Sequence, residues 1–282
     1  MSGEHAVRSL PPQRSIFGLP VSDLDWNEAL AFADAQAGSP SGQKVISFLN
    51  AHNANLMLKD GAYREVLSRH VVLSDGIGVD IAARVMHGSP FPANLNGTDF
   101  VPALLTYMVE SRRIGLIGAR PAVLARAVEA FRAHAPWHEF IAVSHGYHGE
   151  AASKDVAALV ARLKLDVLIV GMGTPIQEKW VDRYIGREHA RLVLTVGALF
   201  DFVAGVVPRA PRLVRKLRLE WAYRLLQEPR RLWRRYVLGI PSFLLNVLRH
   251  RLVGEPEPVF AARIERPAEP SSVGGSGIDR AA

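Results

Sequence analysis

Short apolar runs alternate with longer stretches of helical spacing along most of the chain. Residues 44–49 (KVISFL) read as a buried strand, and 53–69 follow with apolar positions three and four apart. Residues 71–73 lead into an Asp-Gly turn, 79–86 resume a helix, and 100–111 read as another. A strand at 113–117 runs into Gly-Ala-Arg-Pro, and 122–133 then form an amphipathic helix with Pro121 suited to its first turn. Strand 140–144, helix 155–165, strand 166–170, helix 176–187 and strand 191–196 complete the series. Such alternation predicts an α/β, Rossmann-like fold, a parallel sheet with helices on both faces. Residues 21–205 form that domain in this reading. A flexible N-terminal tail (1–20), a basic helical appendage (206–252) and a disordered tail rich in Pro, Glu, Ser and Gly (253–282) flank it. Ligands of such sheets sit beyond the carboxyl ends of the strands. That directs attention to Asn50, Asp75, Gly118, 171–177 and 197–201.

Composition narrows the chemistry. The 282 residues are 49% hydrophobic and 22% charged, as in a protein with a sizeable core, and contain no cysteine. Disulfides, thiolate metal sites and cysteine nucleophiles are excluded. No apolar h-region follows the first residues, so no secretory signal is expected. No stretch approaches the ~20 apolar residues of a spanning helix. The longest, 237–248, is interrupted by Gly239, Pro241, Ser242 and Asn246.

Charge is unevenly placed. Between residues 206 and 252 lie twelve Lys and Arg against two acidic residues, an excess of ten. The whole chain carries +7, so the remainder is acidic by three charges. An anionic partner is expected, either nucleic acid or an acidic membrane surface. Leu219, Trp221, Tyr223, Leu225, Leu226, Leu232, Trp233 and Tyr236 separate these charges. Large apolar residues at helical spacing beside Trp and Tyr favour a lipid surface over stacking on bases. A helix pair packed on the body with solvated arginines is the alternative, and the same apolar residues would also suit a second subunit.

Several loops carry candidate chemistry. In LSDGIGVD, Asp75 is followed by Gly76 and Gly78. It reads either as a general base or as a helix cap in an Asp-Gly turn. Asp80 reads as a solvated helix residue. NLNGTDF at 94–100 feeds a helix that Thr98 or Asp99 would cap, with Gly97 offering backbone amides to a phosphate. GLIGARP at 115–121 places Gly118 in a strand-turn-helix but lacks the full dinucleotide glycine pattern and any Walker lysine. In GMGTPIQEKW at 171–180, Gly171 and Gly173 shape a loop. Gln177 is suited to hydrogen-bond a sugar or base, and Glu178 to the first helical turn. The histidines, His52, His145 and His148 among them, form no ligand pair, and no GxSxG elbow occurs, so neither a metal nor a serine hydrolase is expected.

Taken in order, seven segments resemble the WecG/TagA/CpsF family of bacterial glycosyltransferases (glycosyltransferase family 26). They are FLNAHNANL (48–56), SDGIGVDIAAR (74–84), NGTDF (96–100), LIGARP (116–121), GMGTPIQEKW (171–180), VGALFDFVAGVVPRAP (196–211) and LEWAYRLLQEPRRLWRRY (219–236). The resemblance implies an inverting transferase that moves a sugar from a UDP-sugar to an undecaprenyl-diphosphate-linked saccharide, for cell-surface or exopolysaccharide assembly. It implies Asp75 as catalytic base, Gln177 in the active site, and Arg209, Arg224, Arg230, Arg231 and Arg234 facing the acceptor diphosphate. Asn50, Gly76, Gly97, Thr98, Asp99, Gly118, Gly171, Gly173 and Glu178 complete the expected substrate contacts. It also implies a peripheral location on the inner face of the cytoplasmic membrane, with no cofactor. One departure stands out: in members with a Thr two residues before the Asn of the first motif it would fall at position 48, where this chain has Phe48. Two rivals differ in class. An NAD-dependent nucleotide-sugar-modifying enzyme would need the missing dinucleotide fingerprint, and a nucleic-acid-binding module would rest on the basic segment alone.

Overall fold

The computed structural model describes residues 10–40, 42–147, 149–211, 213–214 and 219–254. Residues 1–9 of the expected N-terminal tail and 255–282 of the C-terminal one lie outside the described residues, as does His148. Residues 13–20, read from sequence as tail, instead fold with 21–22 as an antiparallel hairpin of β1 (Gln13–Ile16) and β2 (Leu19–Ser22). Phe17 and Gly18 turn it with φ of 55° and 76°, and Ile16, Phe17, Leu19 and Val21 are buried. Next comes α1 (Trp26–Gly38), begun by a capping box between Asp25 and Glu28.

Six strands then build one parallel sheet: β3 (Lys44–Leu49), β4 (Val71–Ser74), β5 (Arg113–Gly118), β6 (Glu139–Ser144), β7 (Leu165–Gly171) and β8 (Ala190–Thr195). Their order is β4-β3-β8-β7-β5-β6. Successive side chains leave a strand on opposite faces. In β7, Val167 and Ile169 therefore join the cluster under α1, α5 (Gly97–Tyr107) and α6 (Pro121–His134), while Leu168 and Val170 pack under α7 (Glu150–Leu163) and α8 (Ile176–Tyr184). Both faces are covered, which is why the strands are nearly continuous apolar runs.

The expected helix at 53–69 is two helices, α2 (Ala51–Lys59) and α3 (Gly61–Ser68). Asp60 ends the first and caps the second by accepting from Tyr63 N. α4 (Ile77–His87) follows β4, and α9 (Leu199–Val203) follows β8. From residue 220 on, the basic segment is helical, with α10 (Glu220–Gln227), α11 (Pro229–Trp233), a π turn over Arg234–Leu238 and α12 (Gly239–Val253); its residues 212 and 215–218 lie outside the described residues. α12 lies on α2 and α4, burying Phe243 and Val247. Asn55 Nδ2 donates to Gly239 O at 2.7 Å across that contact. Among the described residues no helix is long and apolar enough to cross a membrane.

Candidate functional site

Because β3 and β4 are parallel neighbours, their carboxyl ends deliver Asn50 and Asp75 side by side. Asn50 Oδ1 caps α2, accepting from His52 N and Asn53 N at 3.1 and 3.0 Å. That leaves Asn50 Nδ2 to donate to Asp75 Oδ2 at 3.1 Å. Asp75 is not the cap that its Asp-Gly turn allowed. α4 is preceded by Gly76 at φ 88°, with no side-chain cap, and Gly76 N donates instead to Asn94 Oδ1 at 2.7 Å. The carboxylate is thereby free for other work. Burial pushes its pKa above the usual carboxylate range, against the Asn50 hydrogen bond and the charges of Arg235 and Arg224, while Asp99 pushes the same way as burial. Asp80 is buried, at 6% exposure, rather than solvated.

The α5 terminus faces the same region. Asn96, not Thr98 or Asp99, caps the helix, its Oδ1 accepting from Asp99 N at 3.0 Å. Asp99 instead pairs with Arg209, Nη1 to Oδ1 at 2.8 Å. Gly97 is needed for a close approach, since a Cβ there would sit 3.1 Å from the Phe48 ring. Phe48 also meets Phe100 edge-on at 6.1 Å, so it fills the floor beneath this helix end. Thr98 remains half-exposed.

The appendage contributes charge from above. Arg224 lies over the Phe202 ring at 4.9 Å. Buried nitrogens of Arg209 (Nε and Nη2), Arg224 (Nε) and Arg235 (Nε) have no hydrogen-bond partner among the described residues. Glu220 sits among these groups. Burial raises its pKa, Arg209 and Arg224 lower it, and Asp99 and Asp75 raise it. Three guanidiniums thus share a small volume with Asp75, Asp99 and Glu220. Arg230, Arg231 and Arg234 do not join them. All three are exposed; Arg231 pairs with Glu228, and Arg234 lies over the Trp233 ring at 5.5 Å. Arg235 was missed because a π turn holds more residues than regular helical periodicity assumes, which puts Arg235 rather than Arg234 inward. Its charge and burial lower the pKa of His52 to about 4, burial being the larger cause, so this imidazole is neutral near pH 7.

Beyond β5 and β7 the glycines are packing devices. A Cβ on Gly118, whose φ is 140°, would lie 2.2 Å from Gly171 O, and one on Gly171 would strike the Phe200 ring at 2.9 Å. Ala119 N donates to Gly171 O at 3.1 Å, locking the two loops together. Gln177 and Glu178 are each 1% exposed, so they lie under the loop rather than opening toward a ligand. Gln177 Oε1 accepts from Gly173 N at 3.2 Å and Gly197 N at 3.0 Å. No group of three or more His, Asp or Glu side chains among the described residues is arranged to hold a metal ion.

The model of the glycosyl transferase WecG/TagA/CpsF family matches residues 14–256. An N-acetylglucosaminyldiphosphoundecaprenol N-acetyl-beta-D-mannosaminyltransferase of Bacillus spizizenii is 30% identical over 238 residues, 82% of this chain and 91% of the relative. A protein of the same name from Bacillus subtilis is 34% identical over 207 residues, 73% and 79% of the two chains. Another from Staphylococcus aureus (strain MW2) is 28% identical over 207 residues, 73% and 77%.

Proposed function

The chain belongs to the WecG/TagA/CpsF glycosyltransferase family, and on that premise we propose that it transfers a sugar, with inversion, from a UDP-sugar to an undecaprenyl-diphosphate-linked saccharide. The relatives' names specify a lipid-diphosphate acceptor, and a group of arginines with unpartnered buried N–H donors suits such a dianion. The observation that carries the mechanism is Asp75: a carboxylate at the carboxyl edge of the sheet, uncapped, oriented by Asn50 and faced by Arg224 and Arg235.

Asp75 takes the proton of the acceptor hydroxyl as its oxygen attacks the anomeric carbon. A bond forms from that oxygen to the carbon on one face, the bond to the UDP oxygen breaks on the other, and UDP leaves with the electron pair. A pKa raised by burial makes Asp75 a stronger base than an exposed carboxylate. Arg209, Arg224 and Arg235 are placed to stabilise diphosphate charge. Gly76 and the loops at Gly118, Gly171 and Gly173 follow the carboxyl ends of β4, β5 and β7, where ligands of such sheets bind, and with Thr98 they are the further substrate contacts of this proposal.

Membrane contact is part of this proposal. The outer side of α12 exposes Leu245, Leu248, Leu252 and Val253, with Arg249 and Arg251 among them. Apolar insertion and attraction to anionic headgroups, ~1 kcal/mol per basic residue, would hold the protein at the inner leaflet, beside a lipid-linked acceptor. The test is acceptor-dependent UDP release from a panel of UDP-sugars and short-chain lipid-diphosphate saccharides. Asp75→Asn is expected to melt like the wild type and lose ~10²–10⁴ in kcat. Retained turnover would remove Asp75 from the role of base.

A further inference from the structure

We propose that Glu178 is a positioning residue: its carboxyl group orients the Gln177 amide so that one side-chain carbonyl clamps together the loops leaving β7 and β8. This deepens the glycosyltransferase reading, and rests on it only where nucleotide affinity is concerned.

Gly173 and Gly197 are the two residues held by Gln177 Oε1, at 3.2 and 3.0 Å. Both have positive φ, 89° and 58°, in stretches where glycine gives the backbone its widest freedom. A side-chain carbonyl that accepts from both N–H groups removes that freedom from two loops at once.

The clamp works in only one orientation of the amide. Turned over, Nε2 would confront two N–H donors, and the ends of a carboxamide are nearly equal in shape. An acceptor on the far side must therefore select the orientation. Glu178 Oε1 supplies it, 2.8 Å from Gln177 Nε2, and is itself fixed by the Thr174 hydroxyl, which donates to it at 2.9 Å. Thr174 Oγ1 is the next acceptor within reach of Nε2, at 3.5 Å, too long to take over.

The carboxyl group that does this is 1% exposed, and among the described residues no cation pairs with it. Its second oxygen, Oε2, is buried without a hydrogen-bond partner, as is the neighbouring Tyr63 hydroxyl. Burial pushes the Glu178 pKa up, against hydrogen bonds from Gln177, its own backbone and Thr174. The orienting role asks only that Oε1 accept from Gln177 and Thr174. Nothing in that role calls for negative charge, so a carboxamide should replace it, whereas an isosteric hydrocarbon should not.

The experiment uses the full chain with Glu178→Gln and Glu178→Leu. Amide hydrogen exchange is followed in peptides containing Gly173 and Gly197, and UDP affinity is measured by calorimetry. In Glu178→Gln both loops are expected to exchange as in the wild type, with UDP affinity within about twofold. In Glu178→Leu both loops should exchange faster and UDP affinity should fall about tenfold, as expected when a buried donor loses its acceptor. Should the leucine variant not fold, Gln177→Met removes the same clamp from the other side and should loosen the same two loops. Loops loosened equally by Gln and Leu, or protected in Leu or Gln177→Met, would overturn the proposal. Absence of UDP binding by the wild type would refute the nucleotide part of the functional reading, while the exchange data would still decide the role of Glu178.

Discussion

Phe243→Ala separates docking of the appendage from folding of the body. Phe243 is fully buried on α12, 5.8 Å from Phe17 and edge-on to it at 88°. Truncating such a phenyl costs ~3–5 kcal/mol. The rest of the α12 contact includes Val247, at 1% exposure, Leu244, the His250 ring edge-on to Phe17 at 5.4 Å and the Asn55–Gly239 hydrogen bond. Burying the valine contributes ~1.5–3 kcal/mol and the hydrogen bond ~1 kcal/mol. The substitution therefore removes the largest single contribution among these contacts, while the clusters above and below β7 keep every member. Each 1.4 kcal/mol is a tenfold change in the opening equilibrium, so exchange across residues 239–253 should accelerate by ~10²–10⁴. Strands β7 and β8 should keep their protection. Arg235 and Arg224 would leave the neighbourhood of Asp75 with the helix, so turnover should fall in parallel with docking. Hydrogen exchange by mass spectrometry, beside UDP release, reads both. If α12 opens and turnover is unchanged, the appendage arginines take no part in the site. If sheet and helix lose protection together, α12 belongs to the cooperative core and the docking argument fails.

Three further outcomes are expected. Asn50→Ala removes the hydrogen bond that lowers the Asp75 pKa. Asp75 must be ionised to accept a proton, so the acidic limb of kcat/KM should move to higher pH; a limb that stays put or moves down contradicts the assignment. Gly97→Ala should cost ~1–3 kcal/mol by overpacking against Phe48 and markedly less in a Phe48→Thr background. Additive melting data would show that the two residues do not press on each other. Leu245→Glu, Leu248→Glu and Leu252→Glu change positions that are 48%, 55% and 85% exposed. Combined, they should leave the melting temperature near that of wild type and release the protein from phosphatidylglycerol vesicles; unchanged co-sedimentation would refute membrane contact through this face.

What the sequence discloses is local. LDVLIVG is an apolar run with a single interruption, and a strand buried on both faces must read that way, so β7 and the parallel architecture followed from it. The hairpin at 13–22 escaped because its strands have four residues each, too few for alternation to register, and its turn is the pair Phe17-Gly18. α1 escaped although Asp25 and Glu28 spell a capping box, because its buried side is mostly alanine. Asp75 was legible as a candidate but ambiguous as a base or a cap; only the start of α4 after Gly76 removes the cap reading. Contacts between loops were beyond reach. Asp99 meets Arg209 across 110 residues, and Gln177 meets Gly197 across 20. No periodicity encodes such encounters, which is also why Gln177 and Glu178 read as ligand contacts and prove to be buried struts.

The strand order also has a consequence for how the molecule comes into being. β8 is the last sheet strand in the chain, yet it lies in the middle, between β3 and β7. Before it is synthesised, β4-β3 and β7-β5-β6 share no edge. One half carries Asn50 and Asp75, and the other Gly118 and Gly171. A ribosome adding ~5–20 residues per second needs on the order of ten seconds to pass from the end of β3 to that of β8, and throughout that time β3 has an open flank. Such edges invite pairing with other nascent chains. When β8 inserts, matching Lys44–Ile46 on one side and Leu165–Val170 on the other, it closes both flanks and brings the two half-sites into register in one event. Until β8 is in place, the chain lacks the strand that sets its two halves beside each other, and its open edges are the ones exposed to aggregation.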